Sequence, residues 1–209
     1  ALEERHSLVH PRSMAMYFRK SADEGFAAFI DSAKPICEVD RELLEVFCTN
    51  IALCAKNVDL VAELRRDAFV DRQMGLPNRT ALVCEVNARL RQPDGADTVL
   101  AIVDVDQFAS ANDVLGHDYG DALLRLTARR LGELPGAGFV ARLAGDAFAV
   151  LGPAQAVNGA GIQASFAAPF VIEAVSHPVS VCAGIVSLDD PRRSGIEYLK
   201  DSYLALKRA

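Results

Sequence analysis

The sequence lacks three features that would place it in common functional classes. It has no excess of basic residues: its formal net charge is −6, which disfavours a broad electrostatic contact with nucleic acid or anionic lipid. It has no apolar stretch approaching the about 18–20 residues that cross a bilayer. Its N-terminal residues carry charges where a secretory signal has an apolar core. We therefore expect a cytoplasmic protein with no nucleic-acid partner and no membrane span in this part of the chain.

Metal-binding cysteine patterns, internal repeats and low-complexity tracts are also missing. The five cysteines are scattered, and none has the CxxC or Cys/His spacing of a zinc site. We expect them to be reduced thiols that pack as small apolar residues. What is present is a chain of 209 residues that is 51% hydrophobic and 24% charged. These proportions are typical of one globular domain with an appendage, or of two small domains.

A long helix is predicted over residues 39–69, because this stretch contains neither proline nor glycine and Asp40 can cap its start. Its apolar residues recur at alternating steps of three and four, which is typical of a heptad seam. The seam consists of Leu44, Phe47, Ile51, Cys54, Val58 and Val61. A second stripe lies beside it and consists of Leu43, Val46, Leu53, Leu60 and Leu64. The helix either packs in the core of its own domain or pairs with a second copy.

The first 38 residues are less regular. Met14 to Phe18 is either a short strand or the start of a helix. The segment from Ser21 to Ala33 is predicted to be helical, because Ser21 is a suitable N-cap and Glu24 follows three residues later. A domain boundary is expected near residue 70, where a glycine and a proline follow the long helix.

The remainder alternates between helical and strand patterns. Asn78 can cap a helix, residues 98–106 form an apolar strand that ends in acids, and residues 139–151 form two strands with a tight turn. Further helices are predicted within 115–131, 153–168 and 195–208, and a strand within 177–188. The order βαββαβ predicts an α+β fold of the ferredoxin-like type.

Acidic residues mark the end of the first of these strands and the turn between the next two. Carboxylates at the end of a buried strand are costly unless they face an opening or hold a cation. Asp104 and Asp106 share a face if the strand stays regular, and Asp146 lies beside them if the strands pair. Two such acids suit Mg²⁺, which takes few carboxylates together with water and phosphate. Capping or surface roles are the alternative, and Gly145 is also explained by a turn that needs positive φ.

Three stretches, in the same order, resemble the GGDEF domain, the family of diguanylate cyclases that make cyclic di-GMP from two GTP. These are DRQMGLPNR, VDVDQFASANDVLGHDYGDALL and RLAGDAFAVL. The family pattern is D-x-L-T-G-L-P-N-R, then D-x-D-x-F-K-x-x-N-D-x-x-G-H-x-x-G-D, then R-x-G-G-D-E-F. The resemblance covers residues 71–209 and implies the nucleotidyl-cyclase version of the predicted fold. The long helix is similar to those that join bacterial sensory or response-regulator regions to such domains.

The resemblance implies a set of site residues. Asp104, the backbone of Val105, and Asp146 would hold Mg²⁺. Asn112 and Asp121 would bind the guanine of GTP. The remaining nucleotide contacts would come from Gln107, Phe108, Gly145 and Arg208.

The departures from the family pattern predict a degenerate domain. Ala147 stands where active members have a catalytic Glu, so no catalytic residue is assigned. Ala144 replaces the first glycine of the motif, and Ala109 stands where the family has Lys. Each lost charge that stabilises a transition state commonly costs about 10²–10³-fold in rate. We expect little or no cyclase activity.

The resemblance implies a regulatory module that binds GTP and Mg²⁺ and relays an upstream signal. Residues 1–70 would be a helical regulatory segment, and an EAL-type output domain would follow, since residues 166–186 are similar to GGDEF domains of GGDEF-EAL proteins. A homodimer would form through the long helix. Two alternatives stay open: an active diguanylate cyclase that tolerates Ala147, and a dimerisation module without a ligand.

Overall fold

The computed structural model describes residues 8–19, 25–92 and 97–209. The chain divides into two compact units, Ala1–Arg66 and Asp67–Ala209. Among the helices of the described ranges, none combines the length and the apolar character that crossing a bilayer requires.

The first unit contains a three-stranded antiparallel sheet and most of one long helix. The strands are β1 (Leu8–Val9), β2 (Ser13–Arg19) and β3 (Gly25–Asp31), in the order β1-β2-β3. The helix α1 (Glu38–Phe69) follows. The buried residues Met14 and Met16 of β2 pack with Cys48 of α1. This small core gives the unit a mixed sheet-and-helix structure. The predicted long helix over residues 39–69 is confirmed as α1, and Met14 to Phe18 takes the strand alternative, within β2.

The predicted helix over residues 21–33 is replaced by strand β3 in its described part, whereas Ser21 and Glu24 lie outside the described residues. Ala28 and Ile30 of β3 are half-buried against the Met14 cluster, while the alternate residues Ala27 and Phe29 are exposed. This alternation suits a strand that covers a core on one face. Pairing with β2 over its whole length therefore overrides the helical propensity of the local sequence.

Helix α1 starts at Glu38, two residues before the predicted cap. Asp40 lies in the first turn, where its carboxylate accepts hydrogen bonds from the amide and the thiol of Cys37. Cys48 is buried, and Leu44 is half-buried against the same cluster. Most of both apolar stripes is exposed, for example Phe47 at 58% and Val58 at 68%. Packing within its own unit thus covers a small part of the helix.

The second unit is built on a four-stranded antiparallel sheet. Its strands are β4 (Thr98–Val105), β5 (Phe139–Ala144), β6 (Ala147–Pro153) and β9 (Val181–Ser187), and they lie in the order β5-β6-β4-β9. Its helices are α2 (Arg79–Leu90), α3 (Phe108–Leu115), α4 (His117–Gly132), α5 (Gly159–Ser165) and α6 (Gly195–Leu206). This arrangement confirms the predicted α+β fold of ferredoxin-like type. A hairpin of β7 (Phe170–Ile172) and β8 (Val175–His177) was not predicted.

The central strand β4 is covered on both faces. Val99, Ala101 and Val103 contribute to a core that includes residues of α4 and α5. Leu100 and Ile102 point to the other face, where they form a core with residues of α2 and α6. Asp104 follows in the same alternation and therefore belongs to the α2 and α6 face.

The end of helix α6 packs directly on strand β9 at Gly184. A Cβ atom added there would lie 2.3 Å from the backbone nitrogen of Leu206 and 2.3 Å from the carbonyl oxygen of Ser202. Glycine at this position lets the helix approach the sheet closely. At the start of α2, the Asn78 side chain accepts hydrogen bonds from the amides of Thr80 and Ala81, which confirms the predicted cap.

The five cysteines are all free thiols. Cys48 is buried, as expected for a cysteine that packs as a small apolar residue. Cys37, Cys54 and Cys84 are exposed, so that expectation is wrong for these three. Cys37 lies just before α1, Cys54 is on the exposed apolar seam of α1, and Cys84 is on an exposed position of α2.

Candidate functional site

Acidic side chains gather where strand β4 ends. Asp104 pairs with Ala147 of β6 on one side and with Cys182 of β9 on the other. Burial raises the pKa of Asp104, and the negative charges of Asp146 and Asp106 raise it further. The structure therefore places Asp104 within electrostatic reach of both other acids. A cation at this point would relieve the repulsion among them.

The turn between β5 and β6 consists of Gly145 and Asp146, closed by the pair Ala144 and Ala147. Gly145 adopts a positive φ of 57°, and a Cβ atom there would meet nothing within 4 Å. The backbone conformation, and not lack of space, is therefore what favours glycine at this position. Ala144 keeps a negative φ, so its replacement of the family glycine leaves the local backbone unstrained.

A buried arginine holds this turn in place. Arg142 of β5 is 7% exposed, and its Nε and Nη2 atoms donate to the carbonyl oxygen of Gly145 at 3.0 and 2.8 Å. Its Nη1 atom donates to Asp71 Oδ1 at 3.1 Å. Arg142 is the first residue of the R-x-G-G-D-E-F pattern but was not among the predicted site residues. A charged residue within the apolar run of β5 could have indicated it, because a buried charge needs partners.

The segment from Asp71 to Pro77 forms a compact turn against strand β5. Asp71 Oδ1 accepts from the amide of Met74 at 2.8 Å, and the Asp71 carbonyl accepts from the amide of Gly75 at 2.8 Å. The amide of Arg142 donates to the carbonyl of Pro77 at 2.9 Å. This anchored turn brings Gln73, a residue that the sequence did not indicate, to the candidate site.

The two residues predicted to bind guanine lie on neighbouring helices. Asn112 of α3 packs against Gly120 of α4, where an added Cβ atom would lie 1.7 Å from Asn112 Oδ1. Within the described ranges, Asn112 Oδ1 is buried without a hydrogen-bond partner. Asp121 follows Gly120 and is half-buried, with Arg125 Nη2 3.8 Å from its Oδ2 atom. A buried acceptor without a partner next to an accessible carboxylate fits a ligand that presents donors.

The N-terminus of α3 lies directly after these acids. Gln107 precedes the helix with a φ of 58° and makes no side-chain cap hydrogen bond. The first amides of a helix have no partner within the helix, so those near Phe108 and Ala109 are donors suited to phosphate. Val105 is buried at the end of β4, and the exposed side chain of Ala109 carries no charge.

Arg208 is not brought to this group by any contact that the structure describes. It is exposed beyond the end of α6, and no hydrogen bond or ion pair among the described residues joins its side chain to the acids. Its phosphate contact stays a prediction.

The donor set fits Mg²⁺ in a nucleotide complex. In the described part of the chain, no three His, Cys, Asp or Glu side chains are arranged to hold a metal ion. Mg²⁺ commonly takes one or two carboxylates and completes its coordination with water and substrate phosphate. Asp104 and Asp146 supply that number of carboxylates, and the metal would supply charge neutralisation at the phosphates.

The fold and the acids at the end of its central strand define a GGDEF-like nucleotidyl-cyclase domain. A family profile described as diguanylate cyclase, GGDEF domain, matches residues 68–209. A profile for a domain of unknown function, DUF3369, matches residues 1–64. The chain therefore belongs to the GGDEF family, which acts in bacterial cyclic di-GMP signalling.

Several proteins and a solved structure are similar to this chain. Signaling protein YkoW of Bacillus subtilis is 32% identical over 185 residues, which cover 82% of this chain and 23% of that protein. The cyclic di-GMP phosphodiesterase NbdA of Pseudomonas aeruginosa is 43% identical over 97 residues, which cover 43% of this chain and 12% of that protein. The solved GGDEF domain of YfiN from Pseudomonas aeruginosa is 30% identical, has a TM-score of 0.58, and aligns with 67% of this chain and 87% of that one. The chain thus spans less than a quarter of the length of these two curated relatives.

Proposed function

We propose that residues 67–209 form a degenerate GGDEF domain that binds GTP with Mg²⁺ and turns it over slowly or not at all. In this proposal, the domain has a regulatory role and relays an upstream signal to an adjacent EAL-type output domain. Asp104 and Asp146 hold Mg²⁺ together with the backbone of Val105. Asn112 and Asp121 bind the base.

One observation carries the proposal of low activity. Ala147 lies directly opposite Asp104 in the β4–β6 ladder, at the position where the family pattern has the catalytic Glu. Directly opposite residues of an antiparallel pair share a face of the sheet, so a carboxylate at position 147 would lie beside Asp104. The methyl group of Ala147 has no proton to give or take and no charge. Loss of a general base or acid commonly costs about 10²–10⁴-fold in rate.

A second missing charge supports the same conclusion. Ala109 occupies the first turn of α3, where the family pattern has Lys. A lysine there would place a positive charge beside the helix amides that suit phosphate. Without it, negative charge that develops on the phosphates has less compensation, which commonly costs a further factor of about 10²–10³ in rate.

Incubation of the purified protein with GTP and Mg²⁺, followed by chromatography of the nucleotides, tests the proposal. We expect GTP binding by calorimetry but no accumulation of cyclic di-GMP. The double variant Ala109→Lys, Ala147→Glu should recover measurable turnover, while Ala160→Lys, a change of the same kind at an exposed site on α5, should not. Efficient synthesis by the unaltered protein would contradict the low-activity proposal.

An active diguanylate cyclase is the second candidate function. The retained acids favour it, because Asp104 and Asp146 lie within electrostatic reach of each other and are enough carboxylates for Mg²⁺. The same incubation decides between the two, since only this candidate accumulates cyclic di-GMP at a high rate.

The relay is proposed to operate in a homodimer that forms through α1. The exposed seam of this helix supports the proposal, because Phe47, Ile51 and Val58 are each more than half exposed and recur at heptad spacing. Light scattering should show a dimer that Ile51→Glu dissociates, while Asn50→Glu, one residue off the seam, leaves it intact. A monomer at micromolar concentrations would contradict the proposed dimer. Loss of the dimer in both variants would contradict its formation through the seam of α1. A ligand-free dimerisation module, the third alternative, would form the dimer and fail to bind GTP.

A further inference from the structure

Gln73 connects two parts of the candidate site through its side-chain amide. Its Nε2 atom donates to Asp121 Oδ1 at 2.5 Å, and its Oε1 atom accepts from Arg142 Nη1 at 2.5 Å. A carboxylate only accepts and a guanidinium only donates, so the two partners also determine which way the amide points. Gln73 is therefore held at both ends by charged groups, and both hydrogen bonds are charge-assisted.

The backbone under Gln73 is also anchored. Its turn is closed by the hydrogen bonds of Asp71 to Met74 and Gly75, and it is attached to β5 through Pro77. The Arg142 guanidinium that Gln73 contacts is itself buried and fixed to Gly145. The amide group is thus presented to Asp121 by a preorganised support, which lowers the entropy cost of the contact.

Gln73 occupies one oxygen of Asp121, the carboxylate that is proposed to bind the base. Guanine presents two donors on one edge, its N1–H and its exocyclic amino group, and a carboxylate accepts both with its two oxygens. The amino group of Gln73 is a donor of the same kind and already occupies Oδ1 of Asp121, while Arg125 approaches Oδ2. A guanine that uses both oxygens must displace or share the Gln73 hydrogen bond.

We propose that Gln73 is a specificity-determining residue that competes with guanine for Asp121 and lowers the affinity of the domain for GTP. The inference rests on the proposed GTP binding at Asn112 and Asp121. The competition applies to bases that donate to a carboxylate through N1–H. Adenine has no hydrogen on N1, so its binding gains little from a vacated Oδ1 atom.

The family pattern has Leu at the position of Gln73, and neither Leu nor Met can donate a hydrogen bond. Gln73→Met keeps the length of the side chain, and Gln73→Leu restores the family residue. In both variants Arg142 keeps its contacts with Asp71 and Gly145, so we expect the fold to be retained. Thermal unfolding checks this expectation before any binding is compared.

Calorimetric titration with GTP and with ATP, each with excess Mg²⁺, tests the inference. Removal of the charge-assisted hydrogen bond from Gln73 to Asp121 should tighten GTP binding about 3- to 10-fold in both variants. The affinity for ATP should stay within about twofold of that of the unaltered protein. Gln163→Met, a matched change at an exposed site on α5, should change neither affinity. A purely structural role for Gln73 would change the two nucleotides equally.

The outcomes separate this inference from the proposed function. If the unaltered protein binds GTP and the two Gln73 variants bind it equally or more weakly, the proposed competition is overturned and the proposed GTP binding stands. Binding by the variants alone supports the competition and overturns GTP binding by the native domain. No GTP binding in any protein overturns both. As a further check, the amide resonances of Gln73 should shift in Asp121→Ala without nucleotide, and unchanged resonances would contradict the contact.

Discussion

Replacing Gly120 by alanine tests whether Asn112 binds the base. The added Cβ atom would lie 1.7 Å from Asn112 Oδ1 and 2.7 Å from its Cγ atom, whereas real Cβ contacts stay above 3.0 Å. The Asn112 carboxamide must therefore move by more than an ångström. Because the obstructing atoms belong to the end of a side chain, rotation of Asn112 resolves the clash without moving the backbone.

Gly120→Ala is expected to weaken GTP binding, while its two effects on stability offset each other. Alanine is favoured over glycine within a helix by about 1 kcal/mol, which offsets the cost of turning Asn112 out of its rotamer. We therefore expect the free energy of unfolding to change by about 1 kcal/mol or less. Loss of one hydrogen bond to the base should cost about 0.5–1.5 kcal/mol, which weakens GTP binding about 2- to 12-fold.

The matched control is Gly132→Ala in the same helix. Gly132 is the last residue of α4, and an added Cβ atom there meets nothing within 4 Å. Calorimetry with GTP and Mg²⁺ and urea unfolding should be run on the unaltered protein and both variants. Unchanged GTP affinity in Gly120→Ala would refute the reasoning, because the displaced Asn112 would then contribute nothing. An equal loss in Gly132→Ala would show that the helix as a whole, and not Asn112, determines binding.

Three further predictions concern stability. The pKa of Asp104 is raised by burial and by neighbouring acids, so the folded state keeps the proton of this carboxyl group to higher pH than the unfolded chain does. Stability therefore falls as pH rises from about 4 through the raised pKa. Asp104→Asn should melt at a higher temperature than the unaltered protein at pH 7 without Mg²⁺, and equal melting temperatures would contradict this. Arg142→Met leaves the carbonyl of Gly145 and the carboxylate of Asp71 without their donor and should lower the free energy of unfolding in urea by about 1–3 kcal/mol; no change would show that water replaces the arginine. Gly184→Ala places a Cβ atom 2.3 Å from backbone atoms of α6, which no rotamer change relieves, and should cost about 1–3 kcal/mol in the same assay, whereas unchanged stability would mean that the helix shifts freely.

The elements of the second unit could be predicted because their determinants are local. Asn78 caps α2 with its own side chain, and the alternation along β4 directly reflects the burial of both faces. The hairpin at Gly145 follows from a short turn between two apolar runs. In the first unit the local pattern wrongly predicted a helix over residues 21–33. Strand β3 gains its stability from pairing with β2, and such pairing is not encoded within the segment itself.

Motifs in the sequence identified parts of the candidate site, but they did not show which of its residues contact one another. The chain order of Asp104, Asn112, Asp121 and Asp146 is visible in the sequence. The contact of Gln73 with Asp121 joins residues 48 positions apart, and that with Arg142 joins residues 69 apart. No periodicity or capping rule refers to such separations.

The amino-acid sequence by itself determined the family, the βαββαβ order of the main elements in residues 71–209 without α3 and the β7–β8 hairpin, and the absence of a carboxylate at position 147. These properties depend on residue identity and on spacing over a few turns or strand positions. Only the tertiary structure decided that Ala147 lies opposite Asp104, that Arg142 anchors the turn, and that Gln73 occupies the Asp121 carboxylate. Hydrogen bonds and electrostatic interactions act over a few ångströms in space, and the folding of the sheet is what brings distant residues within that range.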